Sequence, residues 1–137
     1  MDWSYIMGTN ILCEAPSEKI RVARFLRPDV REALNHYGHE YDDIARSGLY
    51  QELHTGTLAS FPEGGTLILN FGLIDVLTSA FYRLLLRIQE EVRAKSGRLF
   101  LCCLTDHSHE AFALMGGLRT FATPFSTEAR AISEAKK

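Results

Sequence analysis

Two apolar runs of strand length, residues 66–71 and 99–104, limit the fold of this chain more than any other feature. A strand with one face in water alternates apolar and polar residues, so a nearly continuous apolar run predicts a strand covered on both faces. Between the runs, apolar residues recur at helical spacing, at Leu77, Phe81, Leu84, Leu85, Ile88 and Val92. Gly97 follows as a typical helix stop. Strand, helix and strand in this order predict a parallel βαβ unit with a right-handed crossover.

Weaker patterns predict the elements that precede this unit. A short strand over residues 11–14, a turn over residues 15–17 and a strand over residues 20–25 are typical of a β-hairpin. Helical spacing then predicts a helix over residues 42–58, although Gly48 lowers its helix propensity.

Two further helices are expected after the second apolar run. The first has Asp106 or Ser108 as its cap and ends at residues 116–117, where two glycines stop it. The second begins at a cap formed by Ser126 or Thr127.

An edge strand is expected over residues 121–125, because Pro124 has no N–H to donate to a further neighbour. Taken together, the patterns predict an α/β fold with a mixed sheet of four to five strands and about four helices. We expect residues 1–137 to form a single domain, since the length suits one hydrophobic core.

Composition and charge argue against several classes of partner. Hydrophobic residues make up 46% of the chain and charged residues 23%, as in ordinary globular proteins. The 17 acidic and 15 basic residues give a net charge of −2, which does not favour nucleic acid. No apolar run approaches the ~18 residues of a membrane span, and the first ten residues lack a secretory pattern. We therefore expect a cytoplasmic protein that binds neither nucleic acid nor membranes.

The three cysteines, Cys13, Cys102 and Cys103, are predicted to be reduced and mostly buried. Cys102 and Cys103 are adjacent in a predicted strand, so their side chains should face opposite sides of the sheet. They would then form a poor disulfide with each other, and the chain has no C-x-x-C pair.

Motifs typical of metal or phosphate chemistry are weak in this sequence. Residues 36–40 and 107–110 contain histidine and glutamate, but their spacing is not that of a recognised zinc site, so we expect no metal. The glycines at residues 64–65 precede a strand, whereas a phosphate-binding glycine loop follows one, so no cofactor is expected.

Catalysis by a serine triad is also not indicated. A triad can be drawn from Ser79, His107 and Asp75, but no G-x-S-x-G elbow surrounds the serine. The sequence therefore does not predict an enzyme.

The functional surface of a βαβ unit usually lies beyond the carboxyl end of the first strand, here residues 72–79. On the following helix, Arg83 and Arg87 occupy the polar side, which is either a solvated face or a docking face for a partner. At the helix start, one of the hydroxyls of Thr78 and Ser79 is expected to be the cap. The alternative role is a phosphorylation switch, since a phosphate at a helix N-terminus is compatible with the fold yet repels a docked partner.

Two segments of the chain together resemble STAS domains, the fold of bacterial anti-sigma factor antagonists and of sulfate-transporter tails. They read LILNFGLIDVLTSAFYRLLLRIQEEVRAKSGRLFLCCLT and EAFALMGGLRTFATPFSTEARAI, and the resemblance covers residues 20–132. The order of hairpin, helix, strand, helix, strand, helix, strand and helix matches that family as well.

The resemblance assigns positions in the regulatory loop. In the family, the residues before the long helix usually read Asp-Ser-Ser-Gly or Asp-Ser, and a partner kinase phosphorylates a serine. Here Thr78 takes the aspartate position, Ser79 the first serine, Ala80 the second and Phe81 the glycine. Asn70 replaces the usual aspartate of the preceding strand. The resemblance thus implies Ser79, with Thr78 beside it, as the candidate phosphorylation site.

The function implied by the resemblance is binding. The expected partner is an anti-sigma factor of the histidine-kinase-like ATPase type or another STAS-containing signalling protein, while a homodimer stays open. The partner-binding residues would be Gly72, Leu73, Asp75, Thr78, Ser79, Arg83 and Arg87. The alternative is a small-molecule or nucleotide-binding domain that uses the crevice at the same strand end.

Overall fold

The computed structural model of the chain describes residues 10–34 and 47–137. Within these residues, four strands form one mixed sheet in which the strands lie side by side in chain order. The predicted α/β fold with a mixed sheet is therefore confirmed.

The sheet begins with a hairpin of β1 (Ile11–Ser17) and β2 (Ile20–Phe25), which run antiparallel as predicted. The predicted turn at residues 15–17 is wrong, because these residues lie in β1 and the chain turns at residues 18–19. A bulge in β1 accommodates Pro16, and an edge strand tolerates proline because its outer N–H groups need no partner in the sheet.

Among the described residues, α1 (Arg31–Leu34) and α2 (Gly48–Leu53) follow the hairpin, and α2 continues into a π-helical turn (His54–Leu58). The predicted helix end near residue 58 is thus confirmed, whereas residues 42–46 of that prediction lie outside the described residues. Gly56 in the π-helical turn lies against β1, and a Cβ atom there would be 2.5 Å from the Cys13 Sγ. A glycine is therefore needed for this close approach.

The predicted βαβ unit is confirmed. It consists of β3 (Thr66–Asn70), α3 (Ser79–Ala94) and β4 (Arg98–Cys102), and β3 pairs in parallel with both β2 and β4. Phe71 lies just beyond β3, but its N–H still donates to the Cys102 carbonyl at 3.0 Å.

Three helices follow β4, namely α4 (Asp106–Leu114), α5 (Gly117–Thr120) and α6 (Glu128–Ala135). The cap of α6 is Thr127, one of the two predicted candidates. For α4 the prediction of Asp106 or Ser108 is wrong, since the Thr105 hydroxyl accepts from the Ser108 N–H at 3.1 Å.

The predicted edge strand at residues 121–125 is wrong, because these residues form only an isolated bridge between Phe125 and Cys102. Cys103 has a left-handed backbone with φ of 64°, which turns the chain away from the line of β4. Phe125 makes both backbone bonds of this bridge, since its N–H donates to the Leu101 carbonyl at 2.8 Å and its carbonyl accepts from the Cys103 N–H at 3.0 Å.

Both faces of the sheet are covered, which explains the continuous apolar run of β3. Leu67 and Leu69 face a large core that α2, α3 and α4 complete, while Ile68 faces a smaller core against Ala131 of α6. All three β3 side chains are completely buried. Burial on both faces removes the need for polar residues along the strand.

Candidate functional site

The loop from β3 to α3 (residues 71–78) alternates exposed and buried side chains at the carboxyl edge of the sheet. Gly72 and Asp75 are exposed, and Leu73 keeps 55% of its surface in solvent. Ile74 is completely buried and holds the loop down on the core. The loop therefore presents an apolar and an acidic side chain outward from a fixed base.

Three neighbouring segments hold the backbone of this loop. The Gly72 N–H donates to Asn70 Oδ1 at 2.8 Å. The Asp75 N–H donates to the Pro28 carbonyl, also at 2.8 Å. From the other side, the Ser108 hydroxyl donates to the Ile74 carbonyl at 3.1 Å. Because these contacts come from β3, from the segment after β2 and from α4, the loop is fixed by the tertiary structure.

Thr78 and Ser79 differ in their environment at the start of α3. The Thr78 hydroxyl accepts from the Phe81 N–H at 3.1 Å, which makes Thr78 the N-cap. Ser79 is the first helical residue and is exposed to solvent. The prediction that one of the two hydroxyls caps the helix is confirmed, and it leaves the Ser79 hydroxyl with no capping task.

Arg83 lies one turn beyond Ser79 on the same face of α3, and Arg87 lies one turn further. The Arg87 Nε is 3.6 Å from Glu91 Oε2, and its guanidinium lies 5.8 Å from the centre of the Tyr50 ring. At ~1.5 Å per residue, Arg87 is about 12 Å from Ser79 along the helix axis. The structure thus brings Arg83 close to the loop, whereas Arg87 belongs to the contact between α2 and α3.

Tyr50 completes that contact between the two helices. Its hydroxyl donates to the Glu91 carboxylate at 2.8 Å. Burial and the adjacent Glu91 carboxylate raise the pKa of Tyr50 above its ordinary value, so the phenol stays protonated and remains a donor.

A polar network missed by the sequence analysis lies beside the loop, on the face of the sheet that α6 covers. The Arg24 Nε and Nη2 donate to the two Glu128 carboxylate oxygens at 2.8 and 2.7 Å, and Arg24 Nη1 lies 2.7 Å from Glu14 Oε1. Asn70 Nδ2 donates to Glu128 Oε1 at 2.9 Å. A signal in the sequence was the charge of Arg24 within a predicted strand, since a charged side chain that becomes largely buried requires a partner.

The network changes the acid–base properties of its members. The Arg24 guanidinium, with a smaller contribution from the Asn70 amide, holds the pKa of Glu128 below its usual range, although partial burial opposes this. Hydrogen bonds to Glu128 and Glu14 raise the pKa of Arg24. Both groups are therefore charged at neutral pH.

Cys102 and Cys103 do not face opposite sides of the sheet, so that prediction is wrong. The left-handed backbone of Cys103 reverses the alternation, and both side chains pack in the core beneath α6. Burial, followed by the neighbouring Cys103 thiol, raises the pKa of Cys102. All three cysteines are free thiols, and burial raises the pKa of Cys13 to about 11.

Metal sites, membrane-spanning helices and cavities are the other features that bear on function in the described part of the chain. No group of three histidine, cysteine, aspartate or glutamate residues could hold a metal ion there, and no helix is long and apolar enough to cross a membrane. The histidine cluster at residues 36–40 lies outside the described residues. An open groove of about 380 Å³ lies between the π-helical turn and the end of α3, lined by His54, Leu58, Ala59, Phe61, Glu91, Ala94 and Lys95. This groove is at the amino edge of the sheet, away from the loop.

Comparison with known proteins identifies the family. Over 89 residues, the chain is 35% identical to the Bordetella bronchiseptica protein named "Putative anti-sigma factor antagonist BtrV", a match that covers 64% of this chain and 77% of BtrV. No family model matches the chain. On this similarity, the chain belongs to the anti-sigma factor antagonist family of STAS domains.

Solved structures show the same fold at lower sequence identity. An anti-sigma factor antagonist (STAS) domain protein from Planctomyces limnophilus superposes with a TM-score of 0.67 and is 14% identical, with 94% of this chain and 100% of that chain covered. The unphosphorylated form of the anti-sigma factor antagonist SpoIIAA gives a TM-score of 0.62 and 20% identity, with 92% and 96% covered. The STAS fold implied by the sequence resemblance is therefore confirmed.

Proposed function

We propose that this chain is a non-enzymatic regulator that binds an anti-sigma factor of the histidine-kinase-like ATPase type. The proposed binding surface comprises the loop and the first turns of α3, with Gly72, Leu73, Asp75, Thr78, Ser79 and Arg83 in contact and Arg87 at its margin. The observation that carries the proposal is the exposed Ser79 at the first position of α3, beside a loop that three neighbouring segments hold in place.

Phosphorylation of Ser79 would control this binding. A phosphate adds about −1.5 to −2 charges at neutral pH, and at a helix N-terminus the free N–H groups and the helix dipole favour that charge. The fold would therefore tolerate the modification, while a partner seated on the loop would be repelled or lose contact. In support, SpoIIAA, which shares this fold, has been solved in a phosphorylated form.

The direct test measures association of two Ser79 variants with purified histidine-kinase-like ATPase domains from the organism that encodes this chain. We expect Ser79→Ala to bind as the unmodified protein does. Ser79→Asp should bind at least about tenfold more weakly, because it places a charge within the interface. Calorimetric titration gives both affinities, and circular dichroism checks that the two variants are folded.

Mass spectrometry provides the second part of this test. After incubation with ATP and the ATPase domain that binds, the added phosphate is expected on Ser79 and should be absent from the Ser79→Ala protein. Equal affinities of the two variants, together with no phosphate on Ser79 or Thr78, would reject the switch and leave a constitutive binder.

The contribution of the helix face can be tested separately by charge reversal at Arg83. Arg83→Glu should weaken binding of the ATPase domain at least about tenfold, because a charge pattern complementary to the partner would be inverted. Arg93→Glu is the matched control, since Arg93 is exposed in the last turn of the same helix. If both reversals leave the affinity unchanged, this side of α3 is only a solvated face.

A further inference from the structure

Asn70 performs two opposite hydrogen-bonding tasks at the point where the loop leaves β3. Its Oδ1 accepts from the Gly72 N–H at 2.8 Å, and its Nδ2 donates to Glu128 Oε1 at 2.9 Å. A backbone N–H can only donate and an ionised carboxylate can only accept, so these two partners fix the orientation of the amide. A carboxamide has both the donor and the acceptor that this position requires.

A carboxylate at position 70 would lack the donor that faces Glu128. Arg24 could not easily compensate, because each of its three guanidinium nitrogens already contacts a carboxylate oxygen of Glu128 or Glu14. Two carboxylates at hydrogen-bond distance repel one another unless one of them takes up a proton. An aspartate would therefore turn away from Glu128 and lose the geometry that holds Gly72.

We propose that Asn70 is the positioning residue of the proposed partner-binding loop, and that Glu128, held by Arg24, makes an amide and not a carboxylate the required group at this position. This inference rests on the proposed function, because only that function gives the loop a protein partner. The part that needs no partner is that α6 fixes the backbone position of the loop, through hydrogen bonds between Glu128 and Asn70 and between Asn70 and Gly72.

The first test measures how firmly the loop is held in the absence of any partner. Amide hydrogen exchange at Gly72, followed by NMR at neutral pH, is compared among the wild type, Asn70→Asp and the double variant Asn70→Asp with Glu128→Gln. We expect exchange at Gly72 to be at least about tenfold faster in Asn70→Asp, because the acceptor is displaced. The double variant keeps an acceptor at position 70 and removes the second carboxylate at position 128, so the repulsion is lost and exchange should return to within about threefold of the wild type.

Two outcomes of the exchange experiment would overturn the inference. One is wild-type exchange at Gly72 in Asn70→Asp, and the other is a double variant that exchanges as fast as the single variant. Glu128→Gln alone is the control for loss of the charge, and exchange at the buried Leu69 shows whether the strand itself stays folded.

The second test uses the ATPase domain that binds the wild type. We expect Asn70→Asp to weaken its binding at least about tenfold and the double variant to recover most of the affinity. Unchanged affinity of Asn70→Asp, despite faster exchange at Gly72, would overturn the role in recognition. If no ATPase domain binds the wild type, the proposed function fails, while the exchange experiment still decides whether Asn70 positions the loop.

Discussion

Phe81 shows how a single residue adapts the start of α3 to this particular chain. It stands where the STAS resemblance places a glycine, and its ring is completely buried. Ring centres of Phe25 and Phe71 lie 5.1 and 5.6 Å from it, within the range of favourable aromatic pairs. Because Phe81 lies two residues after Ser79, this packing fixes the first turn of α3 under the loop.

Because Thr78 caps α3 and Ser79 does not, replacement by alanine should lower the free energy of unfolding more at Thr78 than at Ser79. Thr78→Ala should lower the free energy of unfolding by about 1 kcal/mol, because the Phe81 N–H loses its acceptor. Ser79→Ala should change it by less than about 0.5 kcal/mol, as expected for an exposed residue outside the cap. Urea titration of both variants measures the difference, and the reverse order of costs would show that Thr78 is not the operative cap.

At the scale of elements, α3 joins the core to the proposed binding surface. Leu84, Leu85 and Ile88 are completely buried against the sheet, while Ser79 lies exposed at the end of the same helix. The position of the surface therefore depends on how the apolar stripe packs.

Truncation within that stripe should be costly. Leu85→Ala removes a completely buried side chain and should lower the free energy of unfolding by about 2–5 kcal/mol, from lost burial and a residual cavity. Leu114→Ala is the matched control, since Leu114 keeps 82% of its surface exposed in α4, and it should cost less than about 0.5 kcal/mol. Chemical denaturation gives both values, and similar costs at the two positions would contradict the buried face assigned to α3.

Across the whole molecule, Arg24 and Glu128 join parts of the chain that are 104 residues apart. Arg24 lies near the end of β2, and Glu128 begins the helix that covers the second face of the sheet. Their ion pair therefore contributes to closing the fold as well as to the proposed positioning of the loop.

This ion pair predicts a pH dependence of stability. The pKa of Glu128 is lowered in the folded protein, so its contribution is fully present above the ordinary carboxyl value of 4.5 and is lost as the pH falls through the lowered folded value. Glu128→Gln should thus destabilise the protein by roughly 1–3 kcal/mol at pH 7 and progressively less in acid. Denaturant titrations at neutral and acidic pH measure this difference.

Glu134→Gln is the matched control for the pH experiment, since Glu134 lies in the same helix and pairs with Lys137 in an exposed ion pair. Exposed pairs contribute ~0–1 kcal/mol, so this variant should behave nearly as the wild type at either pH. A difference between Glu128→Gln and the wild type that does not shrink on acidification would show that the Glu128 charge is not the stabilising element.

Local patterns in the sequence determined the central architecture. The continuous apolar runs predicted β3 and β4, helical spacing predicted α3, and the expected cap at Thr78 or Ser79 located its start. These signals are reliable because burial on both faces of a strand, or on one face of a helix, imposes a repeat that neighbouring residues display by themselves. The order of strand and helix also predicted the loop at the carboxyl end of β3 and the two hydroxyls, of Thr78 and Ser79, where that loop meets α3.

Only the tertiary structure decided how these parts meet. The Pro28 and Ser108 contacts that hold the loop, the Arg24–Glu128 pair and the shared face of Cys102 and Cys103 all depend on the folded path of the chain. Local spacing carries no record of which distant side chain will lie within hydrogen-bond distance, because that is fixed by strand register, by backbone reversals such as that of Cys103, and by where each helix packs. For that reason the sequence located the proposed binding surface, and the tertiary structure revealed which residues position it.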